Sequence, residues 1–504
     1  MCYANPPKEA TVTWGPELKG GNRSTINNTL GYDDTGYYVS GYEKSEKFIK
    51  KLDTKLNLVA EFRFEEKDPA TKIRYEYEGS IFYNEKLLLF KSTINRDDKI
   101  NELYIQELST NTLTPIGSPK KVAEIAYTKS RNKGSFSSHV SKEEKFLLIS
   151  FTLPTEKDEN EKIHMLIFDE TIKLVWQKQI ELPYASNLFF TYSTRCSDDG
   201  NAYILGKLYK DKVKATVKGQ QNFSFHLLAY TDQGNNTVEY EIKLENKFIT
   251  DISFSVTDNG DIITAGFYSK VGHYSADGAY FMVMDGKTKS VKTTSIKEFE
   301  IDFITEGMTE REEAKAKKKD QKGKDLELYQ YDLDDLVKRT DGGAVLIGEQ
   351  FYITTSTYSD GKNTYTRYHY HYHDIIVINI DPAGKIEWAK KISKRQTSTN
   401  DGGFYSSYAL AVTGDKLRFI FNDHKDNLQP KKQGAWKNYT FGSKDGIVCL
   451  VTLNPDGSMV REALLKDSEV DVYVRPKVTE QISDNKMLMF GEKRKKDQFA
   501  IVEF

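Results

Sequence analysis

Cysteine is scarce: Cys2, Cys196 and Cys449 are the only three in 504 residues. That number and spacing exclude a disulfide framework and a cysteine-ligated zinc site. Net charge is nearly absent as well, since 72 Lys and Arg face 74 Asp and Glu, leaving −2. This balance lacks the basic footprint of a nucleic-acid binder, and no nucleic-acid partner is expected. No run of 18 apolar residues occurs, which excludes a membrane-spanning helix. A nucleophile elbow, a P-loop, a dinucleotide fingerprint and a zinc motif are all missing. No cofactor is expected.

Aromatic residues are plentiful instead, with 31 Tyr and 27 Phe. That bias favours strands over helices. The chain opens MCYANPPKEATVTWG without a basic and apolar leader. Cys2 and Ala4 nevertheless put small residues at the −3 and −1 positions of a cleavage site before Asn5. Three readings fit: a trimmed exported chain, a lipid anchor on Cys2, or an ordinary cytoplasmic start.

A repeat runs through the sequence. SDDGNAYILG (197–206), TDNGDIITAG (257–266), TDGGAVLIG (340–348), SDNKMLMFG (483–491) and DTGYYVSG (34–41) share one pattern. NEKLLLFK (84–91), KEEKFLLIS (142–150) and TGDKLRFIFN (413–422) are weaker copies. Their last residues are Gly41, Lys91, Ser150, Gly206, Gly266, Gly348, Asn422 and Gly491, at spacings of 50 to 82 residues. Each copy reads strand, Asp/Asn/Gly turn, strand, as tight hairpins require. A second hairpin follows, as in DIIVINIDPAGKIEWAKKI (374–392) and GIVCLVTLNPDGSMVREAL (446–464). Four-stranded units at such a period predict a β-propeller.

The expected fold is therefore all-β, a single eight-bladed propeller over residues 1–504 with four antiparallel strands per blade. The last unit ends at FAIVEF (499–504), one strand short, and TVTWGPEL (11–18) is the candidate to complete it. Trp14, Trp176 and Trp388 then share one register in a fourth strand, each with an aliphatic residue four positions on. Parity places the long connections on one face: 210–222, 302–332, 352–373 and 423–445. Long loops of this kind commonly carry function. Within 302–332 a charged helix is expected as an insertion between blades. Thr309 and Glu312 form a capping-box pattern, Gly323 ends the run, and Glu313 with Lys317 makes an i,i+4 pair.

TYTRYHYHYHD (364–374) alternates tyrosine with histidine. His369, His371 and His373 fall on one face of a strand. Neighbouring imidazoles sit roughly 6.5 to 7 Å apart there, whereas zinc needs three or four close ligands. They are weak metal candidates, and no metal site is assigned. A recognition surface fits better, built from Tyr365, Arg367, Tyr368, His369, Tyr370, His371, Tyr372 and His373, with Trp436 and Tyr439 extending it. An enzyme of this fold is expected to work at the propeller channel. One parity of the innermost strands gives Glu78, His139, Arg195, Asp335 and Glu480 as channel residues.

LVKRTDGGAVLIGEQFYITT (336–355), the Tyr/His-rich stretch and DIIVINIDPAGKIEWAKKISKRQ (374–396) resemble a group of exported propeller-like proteins from Bacteroidetes. The likeness is clearest over 300–460. It implies export to the periplasm or cell surface and carries no activity or site residue. The expected role is a non-enzymatic platform of the cell envelope that recognises a protein or another envelope component through its long-loop face. The rival is a carbohydrate-active or other hydrolytic enzyme with a channel site.

Overall fold

A computed structural model describes residues 9–20, 24–129, 132–155, 159–217, 220–257, 259–270, 275–322, 326, 328–429, 436–466 and 472–504. Cys2, Asp258 and Gly323 lie outside these residues. The chain divides into two compact units: Asn22–Glu245, and Met1–Gly21 together with Asn246–Phe504. Among the described residues the architecture is all-β and propeller-like, with antiparallel four-stranded sheets following one another along the chain.

In the unit Asn22–Glu245, four sheets begin at Ser24, Glu76, Phe136 and Phe189. The last of them contains Phe189–Cys196, Ala202–Tyr209, Phe223–Thr231 and Asn236–Ile242. In the other unit, sheets begin at Phe248, Tyr331 and Ala409, and a further sheet closes the chain. The Tyr331 sheet contains Tyr331–Lys338, Ala344–Ser359, Thr364–Ile380 and Ile386–Ile392, with Gln396–Thr399 added at one end. In the C-terminal sheet, Thr11–Lys19 pairs antiparallel with Lys496–Glu503, from Thr11 opposite Glu503 to Lys19 opposite Lys496.

Apolar cores lie between successive sheets. Leu148, Ile167 and Trp176 of the Phe136 sheet meet Phe189, Ile204 and Leu228 of the next. Val345, Ile347 and Val377 of the Tyr331 sheet meet Phe419, Phe421 and Cys449 in the same way. A sheet packed on both faces explains why second strands such as Ile262–Ser269 are buried along their whole length and not at alternate positions only. A buried Ile or Phe side chain on such a strand contributes about 1.5–3 kcal/mol of burial free energy.

The repeat glycine has a packing role separate from the turn. The first strand of most sheets carries a β-bulge, for example between Ile249 and Asp251, or between Leu333 and Asp335. The bulged backbone presses on the second strand where the repeat ends. A Cβ on Gly266 would lie 2.0 Å from the Asp251 carbonyl oxygen, and one on Gly41 would lie 2.1 Å from that of Thr25. Only glycine allows this approach.

The register of the tryptophans also has a physical basis. Trp176 Nε1 donates to the Gly200 carbonyl at 2.9 Å, in the first turn of the following sheet. Trp388 Nε1 donates to the Pro455 carbonyl at 3.0 Å, again in the following sheet. These two indoles each latch one sheet to its neighbour, whereas Trp14 Nε1 makes no such bond.

The insertion after the Phe248 sheet holds two helices, Ile301–Thr305 and Glu310–Asp320. The second begins with the expected capping box of Thr309 and Glu312, and Glu313 pairs with Lys317 at 2.8 Å. Only Ala316 is buried on it.

Candidate acid–base site

The first strand of the Tyr331 sheet, YDLDDLVK, carries three aspartates. Ordinary alternation would place Asp335 on the same face as Leu333. The bulge breaks that alternation: Leu333 pairs with Gly348 and Asp335 with Ile347, leaving Asp334 unpaired in the ladder. Asp335 turns back on its own strand and accepts the Leu336 amide at 2.7 Å. Asp332 and Asp334 become the carboxylates that share an environment.

Both stay in contact with solvent, and both are held above the ordinary carboxylate range. Burial raises Asp334 to about 7, helped by the nearby Glu349 and opposed by a hydrogen bond from Tyr408 and by Lys394. Burial also raises Asp332 to about 6, helped by Asp251 and Glu349. Glu349 lies directly across the ladder from Asp332, so the two carboxylates are cross-strand neighbours.

Buried polar groups fix the surroundings. Tyr408 donates its hydroxyl proton to Asp334 Oδ2 at 2.7 Å. Glu349 pairs with Lys394, whose ammonium is fully buried, and accepts Ser407 Oγ at 2.7 Å. Lys394 also donates to Gln396 Oε1 at 3.1 Å. Gln396 in turn accepts the Ser407 amide at 2.7 Å and donates to the Asn422 carbonyl at 2.8 Å. Lys477 donates to the Tyr372 hydroxyl at 2.7 Å, and burial pushes its ammonium down. Two raised acids thus stand beside a hydrogen-bonded set of cations and tyrosines.

Each residue expected for a channel site has local contacts of its own. Glu78 is the bulge residue between Tyr77 and Gly79 and accepts Ser92 Oγ at 2.5 Å. His139 Nδ1 accepts the Cys196 amide at 3.2 Å, and burial together with Arg195 lowers the ring to about 4. Arg195 is half-buried in register with Tyr203. Glu480 starts a short strand, and burial raises its carboxyl.

The Tyr/His stretch forms a ribbon in which 351–359 pairs with 364–372, and Gln396–Thr399 adds a third strand at its base. His369 bonds Ser356 Oγ at 2.8 Å and Thr399 Oγ1 at 2.9 Å. His371 bonds Thr354 Oγ1 at 2.8 Å and Thr397 Oγ1 at 3.2 Å. Hydroxyls on the flanking strands therefore occupy both nitrogens of each ring. Burial lowers His373 to about 4. Among the described residues, no three His, Cys, Asp or Glu side chains group as metal ligands.

Tyr365, Arg367 and Tyr368 are exposed on the ribbon, whereas Tyr370 is half-buried and Tyr372 is buried at its base. The Arg367 guanidinium sits 4.5 Å over the Tyr358 ring. Trp436 lies under Arg461, 4.7 Å from its guanidinium, and Tyr439 is buried. Neither extends the exposed aromatic face.

No family model matches the chain, and no curated protein matches it. Solved structures resemble it in fold. The WD40 domain of SCAP from fission yeast aligns with TM-score 0.42 and 7% identity, over 100% of this chain and 97% of that one. A Penicillium chrysogenum α-L-arabinanase aligns with TM-score 0.33 and 8% identity, over 66% and 94%. A mutant Synechocystis apocarotenoid oxygenase aligns with TM-score 0.37 and 9% identity, over 91% and 94%. At these identities the likeness concerns the fold alone.

The expectation of a non-enzymatic platform is corrected by these findings. Enzymes are prominent among the similar folds. Besides the exposed aromatics of the ribbon, the structure presents a solvent-touching pair of raised carboxylates, Asp332 and Asp334. Among the described residues, no helix is long and apolar enough to cross a membrane.

Proposed function

We propose that this protein is a hydrolase working by general acid–base catalysis at Asp334 and Asp332, with glycosides as the substrate class. One observation carries the reading: two carboxyls on one strand, both open to solvent, are raised to about 7 and about 6. Pairs of titrating groups set at different levels divide the acid and base roles. Asp334, the higher of the two, holds its proton near neutral pH and donates it to the leaving oxygen. Asp332, the lower, is largely ionised there and takes a proton from the attacking water. The bond to the leaving oxygen breaks as the water oxygen bonds to the sugar carbon, so protons and electron pairs balance. Tyr408 orients the acid, and the Lys394–Glu349 pair supplies a fixed field beside it.

The reading includes a complete ring of eight four-stranded blades, closed by the Thr11–Lys19 strand, and a place outside the cytoplasm. The strand pairing at the chain ends supports the first. The resemblance to exported Bacteroidetes proteins supports the second.

The test is turnover of a panel of aryl glycosides and polysaccharides by the wild-type protein and by Asp334→Asn and Asp332→Asn. Activity on at least one glycoside, lost in both variants, is expected. Activity that survives in both, or no activity on any glycoside, overturns the reading.

A further inference from the structure

We infer a second reactive centre, a Ser224–His226–Glu239 relay able to perform acyl transfer on carboxylic esters. Ser224 and His226 occupy alternate positions on Phe223–Thr231, so both side chains leave the same face of the strand. Ser224 Oγ lies 2.8 Å from His226 Nε2, and His226 Nδ1 lies 2.6 Å from Glu239 Oε1. Glu239 stands on the adjacent strand, Asn236–Ile242, opposite Leu228. Tyr184, from Leu174–Ala185 of the preceding sheet, donates its hydroxyl proton to the same Glu239 oxygen.

The proton positions follow from this arrangement. An ionised carboxylate only accepts, so His226 Nδ1 must carry the proton that faces Glu239. In the neutral ring, Nε2 is then the acceptor, and Ser224 donates to it. Nucleophile, base and orienting carboxylate are thus linked in the order that acyl-transfer enzymes use, with the tautomer fixed from behind.

Ser224 is half-buried, His226 is 8% exposed, and Glu239 is half-buried. Leu208, directly opposite Ser224 in the ladder, packs against the core that contains Phe189.

In the acylation step, Ser224 Oγ bonds to the ester carbonyl carbon and its proton passes to His226 Nε2. The carbon–oxygen bond to the alkoxide breaks, and that oxygen takes the proton from Nε2 and leaves as the alcohol. Water then attacks the acyl-serine and gives a proton to Nε2, which returns it to Ser224 Oγ as the carboxylic acid departs. Glu239 touches no reacting atom and acts as a positioning residue.

A fluorophosphonate probe on the full chain tests the inference, with peptide mass spectrometry to locate the adduct and p-nitrophenyl acetate to read turnover. Labelling at Ser224 is expected, absent in Ser224→Ala at unchanged circular dichroism. Glu239→Gln should slow labelling by about 100-fold or more, and Glu239→Asp should restore part of it. Ester turnover should survive Asp334→Asn, so this site and the acid–base site fail independently. A folded wild-type protein left unlabelled at Ser224, or labelled there equally fast with Glu239→Gln, would make the three residues a clamp between sheets and overturn the proposal.

Discussion

Lys394 and Glu349 form an ion pair shut away from solvent, with the ammonium 0% and the carboxylate 4% exposed. Removing one partner from a buried pair leaves an uncompensated charge and costs about 3–5 kcal/mol. Lys394→Met should therefore lower the unfolding free energy by that amount, measured by urea denaturation. The double replacement Lys394→Met with Glu349→Leu should recover most of the loss. Equal stability of the single and double variants would show that the pair is not buried as described.

Catalysis by the two aspartates has its own signature in pH. The rate should follow a bell with limbs near 6, where Asp332 ionises, and near 7, where Asp334 loses its proton. Asp334→Asn should remove the alkaline limb and lower kcat by about 10²–10⁴-fold, the usual contribution of a positioned proton donor. A glycoside-cleaving protein whose alkaline limb survived that substitution would use a different acid.

Stability should respond to pH with two opposing signs. His139 and His373 are lowered to about 4, against about 6.5 in an unfolded chain. Between those values the unfolded state binds more protons, so this stabilisation is present above about 6.5 and is lost as pH falls toward 4. The raised Asp332 and Asp334 act oppositely, because the folded state holds their protons longer and stability declines as pH rises through 6 and 7. Melting temperatures from pH 4 to 8 should thus rise more steeply in the Asp332→Asn, Asp334→Asn double variant and less steeply in His139→Asn. The reverse order would refute both assignments.

The repeat glycine provides a packing test. Gly266→Ala puts a methyl group 2.0 Å from the Asp251 carbonyl oxygen, which the sheet can accommodate only by shifting backbone. A loss of about 1–3 kcal/mol is expected, the range for overpacking a filled core. An unchanged melting temperature would show that the bulge relaxes freely.

These residues also mark what could be read before the structure. The repeat, the four-strand unit, the pairing partner of Thr11–Lys19 and the Thr309 capping box follow from hydrogen-bonding and periodicity rules that act locally, and all are visible in the chain. The facing of the Asp332–Asp335 run is not legible in the same way. Alternation pointed to Asp335, and the bulge at Asp334 reset the face. A bulge belongs to the pairing of two strands, which periodicity within one strand does not register. The histidines pair with hydroxyls on both flanking strands, and two of those, Thr397 and Thr399, lie more than twenty residues away in sequence. Ser224 and His226 alternate on one strand, but Glu239 reaches His226 by a diagonal contact between strands, which no spacing motif marks.

The most direct measurement is the titration of Asp334 itself, followed by carbon NMR of aspartate-labelled protein with Asp334→Asn used to assign its carboxyl resonance. A midpoint near 7 is predicted. A midpoint near the ordinary aspartate value of about 3.9 would leave the strand without a proton donor at neutral pH and contradict the acid–base reading.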